Sequence, residues 1–134
     1  MAANRPVSLP VAGELDIMRA RQEVRTQAQS LGFSLVDQTR VTTAVSELVR
    51  NIVKYATRGT IDIETVESGS RKGIRIVCRD EGPGIPDVDL AMKEGYTTGK
   101  GLGYGLPGAK RLVDQFDIWS EVGKGTRVTI IKWR

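Results

Sequence analysis

Histidine is absent from this 134-residue chain, and that absence removes more chemistry than any other feature of the composition. There is no imidazole to act as acid, base or ligand, none to carry a phosphoryl group, and little material for a zinc site. The single cysteine, Cys78, excludes an internal disulfide framework and fits a reducing compartment. Aromatic residues are only 5% of the chain and the basic residues are scattered. The net charge of +4 therefore favours an acidic protein or a nucleotide as partner, and makes a thin case for nucleic acid. No apolar run approaches the ~20 residues of a membrane span, and no signal-peptide pattern opens the chain. The expectation is a cytoplasmic protein with no membrane segment.

What is present reads as one domain over residues 1–134, long enough to bury a core. Val7 to Val11, flanked and interrupted by Pro6 and Pro10, suits an edge strand. Ile17, Ala20, Val24, Ala28 and Leu31 recur at helical spacing from about Glu14, and Gly32 supplies a stop. Ser34 with Asp37 resembles a capping box for a second helix to about Ala56, with Val41, Ala44, Val45, Leu48 and Ile52 on its apolar stripe. Downstream, apolar and polar residues alternate: Ile61, Ile63 and Thr65; Ile74, Ile76 and Cys78; Val128 and Ile130. Alternation means a sheet covered on one face and wet on the other, unlike the continuous apolar strands of a doubly wound fold. Ser68-Gly69 and Gly123-Lys124-Gly125 suit hairpin turns. A third helix, with Leu106, Ala109, Leu112 and Val113 inward, follows a glycine run. The expected architecture is an α/β (α+β) two-layer sandwich, a mixed and mostly antiparallel sheet with helices on one face.

Four patches carry candidate chemistry. On the second helix, Glu47 and Asn51 are one turn apart, and Lys54 falls within roughly 60° of them at about 100° per residue. A carboxylate there can accept a proton from a hydroxyl, an amide oxygen can ligate Mg²⁺, and Lys54 can offset phosphate charge. Alone, the same stripe reads as a solvated helix face with a Glu-to-Lys pattern. Asp80, by strand parity, shares the buried face of Ile74, Ile76 and Cys78, where a carboxylate needs partners. An adenine amino group with waters would supply them, and Gly82 and Gly84 let the chain turn beneath a flat base. A solvent-facing loop acid at a strand end is the competing reading. Thr126 has the parity of Val128 and Ile130 and faces the same space, although a turn threonine would look alike. Gly101, Gly103 and Gly105, with Leu102 and Tyr104 between them, precede a helix and suit an anion cradle. Gly95-Tyr96-Thr97-Thr98-Gly99-Lys100 suits a lid, with Lys100 a phosphate contact. Cys78 suits the core; Trp119 and Trp133 suit packing or sheet edges.

In this order, Glu47 to Asn51, Asp80 to Gly84, Gly101 to Gly105 and Gly123 to Thr126 resemble the GHKL superfamily of ATP-binding domains, which includes gyrase, Hsp90, histidine kinases and MutL. The resemblance spans residue 13 to the end. It implies a Bergerat ATP fold, with Glu47 as general base and Asn51 as Mg²⁺ ligand. It also implies Asp80 on the adenine amino group, the glycines shaping pocket and lid, and Thr126 joining the adenine network through water. Lys54 stands where many members have histidine. The length leaves no room for a transducer domain, and a histidine phosphoacceptor is absent. The chain is thus similar to the small serine kinases of bacterial partner-switching pathways. Asp37 to Leu48, Asp80 to Pro86, Gly101 to Gly108 and Ile131 to Arg134 point to the stressosome switch kinases. That likeness implies an ATP- and Mg²⁺-dependent serine/threonine kinase acting on STAS-domain scaffold and antagonist proteins, and activating a PP2C-type phosphatase once released. The alternatives are an anti-sigma factor governed by an anti-anti-sigma protein, and a nucleotide-gated adaptor with negligible catalysis.

Overall fold

Two antiparallel helices and a five-stranded sheet share one core in the computed structural model, which describes residues 6–93 and 105–134. Strand β1 (Val7–Val11) leads into α1 (Glu14–Ser30), whose first turn is capped by the Asp16 carboxylate accepting from Ala12 N at 2.7 Å and Gly13 N at 3.1 Å. Its buried side is Ile17, Ala20, Val24 and Ala28. Helix α2 (Leu35–Asn51) starts where the sequence suggests, with Ser34 Oγ accepting from Asp37 N at 3.1 Å. Val41, Ala44, Val45, Leu48 and Ile52 are all buried.

The second helix was expected to run to Ala56 as a regular helix. The α-helical ladder instead ends at Asn51, and Ile52–Ala56 continue as a π-helical turn. The turn closes at Thr57, a β-branched residue with φ of 76°. Such a conformation is strained and persists only where surrounding packing imposes it. The wider turn advances less angle per residue than an α-turn, so the position of Lys54 extrapolated at helical spacing does not hold.

Strands β2 (Gly59–Ser68) and β3 (Arg71–Asp80) form a hairpin through Gly69-Ser70, and β4 (Gln115–Glu121) and β5 (Gly125–Trp133) form another. The sheet order is β1-β2-β3-β5-β4, and every described pairing is antiparallel. Ile61, Ile63, Ile74, Ile76, Cys78, Val128 and Ile130 turn inward to the helices. On the opposite face Arg79 pairs with Asp62 at 2.9 Å and Arg75 pairs with Glu64. Two short helices, α3 (Val88–Ala91) and α4 (Leu106–Arg111), complete the layer; α3 carried no sequence expectation. No described helix is long and apolar enough to cross a membrane.

The last inward position of β5 breaks the apolar pattern. Lys132 is only 8% exposed, and its ammonium lies 3.4 Å from Asp37 and 3.3 Å from Asp114. It ties the start of α2 to the end of the sheet. Arg134 closes the same end, donating to the Leu31 carbonyl at 3.1 Å. Removing the ammonium leaves two carboxylates facing each other with poorer solvation. Lys132→Ala should therefore lower unfolding stability by about 1–3 kcal/mol. Urea titration checks this as a lower midpoint at unchanged slope; an unaltered midpoint would show that the tie contributes nothing.

Candidate active site

At the sheet end opposite Lys132, the inward rung of three adjacent strands is polar. Asp80 ends β3, Thr126 faces it across the β3–β5 ladder, and Ser120 faces Thr126 across the β5–β4 ladder. Above this rung lies a crevice. Its floor is Cys78, Asp80, Thr126 and Val128; Leu48, Asn51, Ile52, Tyr55 and Ala56 form one wall, and Pro83 to Ile85 with Leu106 form the rest. The walls are mostly apolar, with a few convergent polar groups, as a small-molecule site requires.

Asp80 is half-buried, and burial raises its carboxyl above the usual carboxylate range. The backbone N–H groups of Gly82, at 2.9 Å, and of Thr126 act in the opposite direction. A carboxylate has about four lone-pair sites. Two donated bonds therefore leave acceptor capacity, and burial makes an added donor valuable. The loop after Asp80 reaches its position only through glycine. A Cβ at Gly82 would come within 2.6 Å of the Ala56 methyl, so this loop packs directly on the π-helical turn. Gly84 has φ of 80°, and a Cβ there would meet the Glu121 carbonyl at 2.3 Å. Cys78, under the crevice, is buried, and burial together with the Asp62 and Asp80 charges pushes its thiol up, away from the reactive thiolate.

Glu47 and Asn51 keep the one-turn spacing expected of them. Asn51 lines the crevice. Glu47 stands at its edge, where α4 begins: its carboxylate accepts from Arg50 at 2.8 Å and lies 2.9 Å from where a Cβ of Gly105 would be. Gly105 has φ of 67°, so neither its backbone nor the space beside Glu47 admits a side chain. Thus Asn51, Asp80, Gly84 and Thr126 gather at the crevice, Gly82 lies beneath it, and Glu47 meets Gly105 at its rim. Lys54 does not join them. It is exposed and not among the residues lining the crevice, with its ammonium 5.1 Å from the Tyr55 ring centre. The proposed lid from Gly95, with Lys100, Gly101, Leu102, Gly103 and Tyr104, lies outside the described residues. Trp119, exposed, lies beside Arg127 and the half-buried Trp133 beside Arg71, both on the outer sheet face.

Tyr55 and Ser120 were missed as site residues. Tyr55 had a signal: it follows Asn51 by four residues, one helical turn, and lines the crevice beside it. Ser120 had a signal: it shares strand parity with Phe116 and Ile118, and so belongs to the inward face.

Comparison with known proteins bears on the family and the fold. The profile of histidine kinase-, DNA gyrase B-, and HSP90-like ATPases matches residues 14–134. The serine/threonine-protein kinase RsbT of Bacillus subtilis (strain 168) is 52% identical over 120 residues, covering 90% of this chain and 90% of that protein. An anti-sigma F factor of Thermoanaerobacter sp. (strain X514) is 32% identical over 120 residues, covering 85% of this chain and 82% of the relative. A crystal structure of RsbU and RsbW domains from Mycobacterium tuberculosis superposes with a TM-score of 0.63 at 22% identity. It covers 97% of this chain and 33% of that one, a likeness of fold.

The raised carboxyl of Asp80 has a stability consequence. Its folded pKa lies above its unfolded value, so its favourable contribution is full below the unfolded pKa and is lost as pH rises through the folded one. Asp80→Asn should accordingly melt at a higher temperature than the native protein near pH 7, with the gap closing on acidification. Equal gaps in thermal melts at pH 7 and pH 4 would exclude a burial cost at this carboxylate.

Proposed function

The chain belongs to the histidine kinase-, DNA gyrase B- and HSP90-like ATPase family and is a serine/threonine protein kinase, and on that premise we propose how its site works and on what it acts. Residues 1–134 form a single ATP-binding kinase domain, working in the cytoplasm with proteins and without nucleic acid or membrane. The observation that carries the reading is the convergence of Asn51, Asp80 and Thr126 on one apolar crevice with Glu47 at its rim.

The purine of ATP lies in the crevice with its amino group donating to Asp80 and its faces against Ile52, Tyr55 and Ile85. Thr126 completes the polar edge, and Gly82 and Gly84 keep the loop low enough to admit a flat ring. Among the described residues no cluster of three acidic, cysteine or histidine side chains is available to cage a metal. Asn51 offers one amide oxygen at the crevice, which suits Mg²⁺, an ion that takes few protein oxygens and binds mainly phosphate and water. Asn51 would hold the ion, which would neutralise charge developing on the transferred group. Glu47, oriented by Arg50, removes the proton from the acceptor hydroxyl as its oxygen bonds to the γ-phosphorus and ADP leaves. Lys100 and the run Gly101, Leu102, Gly103, Tyr104 and Gly105 serve as lid and phosphate contacts. Lys54 contributes charge from the edge rather than from the crevice.

The acceptor is a serine or threonine of STAS-domain scaffold and antagonist proteins of a stressosome, and the kinase released from them activates a PP2C-type phosphatase. The 52% identity to a kinase over most of both chains supports this reading over an anti-sigma role. The 32% identity to an anti-sigma F factor keeps that role as the second reading.

Incubation with labelled ATP, a STAS-domain protein and a sigma subunit separates the two. Phosphate on the STAS protein is expected; sigma capture without STAS binding would favour the second reading. Glu47→Ala should reduce transfer by at least about a hundredfold while ATP still binds. Asp80→Asn should weaken ATP binding by about tenfold or more in calorimetry. Transfer at the native rate by the first variant, or native affinity in the second, would remove the corresponding role.

A further inference from the structure

The hydroxyl of Ser120 makes three polar contacts, and their chemistry leaves one assignment of protons. Ile85 N donates to Ser120 Oγ at 2.7 Å, because an amide N–H has no other role to play. The Gly125 carbonyl lies 3.0 Å from the same oxygen, and a carbonyl only accepts, so the single Ser120 proton goes there. The third contact, to Thr126 Oγ1 at 2.9 Å, then has one donor left. Thr126 must give its proton to Ser120. A threonine hydroxyl whose proton is engaged in this way offers only lone pairs on its remaining side, and Thr126 lines the crevice.

Asp80, its partner across the ladder, offers carboxylate oxygens to the same space. The polar edge of the crevice is therefore built from acceptors on both residues. We propose that Ser120 is a positioning residue for nucleotide selectivity. By absorbing the Thr126 proton, it keeps that hydroxyl from turning toward the ligand as a donor. The edge then accepts a purine carrying an exocyclic amino group, directly or through a donating water, and rejects one carrying a carbonyl at that place. A buried acceptor facing an acceptor is left unpaired, and such mismatches discriminate more strongly than shape does. The bond from Ile85 also holds the loop after Asp80 against the β4–β5 hairpin, so selectivity and loop position depend on one oxygen.

This inference rests on the adenine-nucleotide reading of the crevice, and the test separates the two. ATP and GTP affinities are measured by calorimetry for the native protein, Ser120→Ala, Thr126→Val, the double variant and Ser120→Thr. The native protein should prefer ATP. Ser120→Ala should reduce the ATP-over-GTP ratio about tenfold, the size of one hydrogen bond, because the freed Thr126 hydroxyl can then donate to a carbonyl. In the Thr126→Val background the same serine change should leave the ratio unaltered, since nothing remains for Ser120 to orient. Ser120→Thr, which retains the oxygen and proton, should restore the preference. In Ser120→Ala the loss of transfer should fall more heavily on KM for ATP than on kcat. If Ser120→Ala is too unstable to measure, Ser120→Cys, a weak donor and weak acceptor of similar volume, stands in for it. Equal losses for both nucleotides, or a serine effect undiminished in the Thr126→Val background, would overturn the proposal and leave Ser120 as a simple tie. Failure of the native protein to bind ATP would sink the nucleotide reading and this inference with it.

Discussion

A carboxylate held at the floor of an apolar crevice is the constraint around which this molecule is arranged. Asp80 ends a strand whose other inward residues are Ile74, Ile76 and Cys78, all buried. Half-burial costs it hydration that two backbone N–H groups do not offset, so the ionised form is disfavoured. Structures retain such a group where a ligand supplies what solvent does not. A purine amino group meets that need, and its flat ring suits walls built from Ile52, Tyr55, Ala56 and Ile85.

Several local oddities follow from keeping that floor accessible. The loop after Asp80 lies so close to the π-helical turn that Gly82 has no room for a methyl group. The helix leaves its regular ladder after Asn51 for a π turn that carries Tyr55 and Ala56, both crevice-lining, and ends in the strained Thr57. Departures of this sort gather where geometry serves binding rather than stability. Helix α2 thus has two jobs along one cylinder. Its apolar stripe anchors it on the sheet, and its polar stripe carries Asn51 into the crevice and Glu47 to the rim.

The opposite end of the sheet is organised for cohesion. Lys132 occupies an inward position where parity calls for an apolar residue, and it bridges Asp37 and Asp114. Arg134 binds the end of α1. These ties join both long helices to the sheet far from the crevice, leaving the nucleotide end free to carry the unfavourable carboxylate.

The sequence alone determined the layers, the antiparallel hairpins, the edge strand and the helix faces. Period-2 and period-3.6 patterns are local consequences of what must be buried, and they need no knowledge of the partner element. It also determined that Asp80 and Thr126 face inward, since parity alone decides that. Tertiary structure decided the rest. The helical pattern does not show that Ile52–Ala56 leave the α-helical ladder for a π turn, or that Lys54 stays exposed and outside the crevice lining. Only the register between β3, β5 and β4 places Asp80, Thr126 and Ser120 on one rung, because register depends on how whole strands meet. And only the spatial neighbours of Ser120 settle where its proton goes, a matter of three partners distant or nearby in the chain that no pattern of residue types contains.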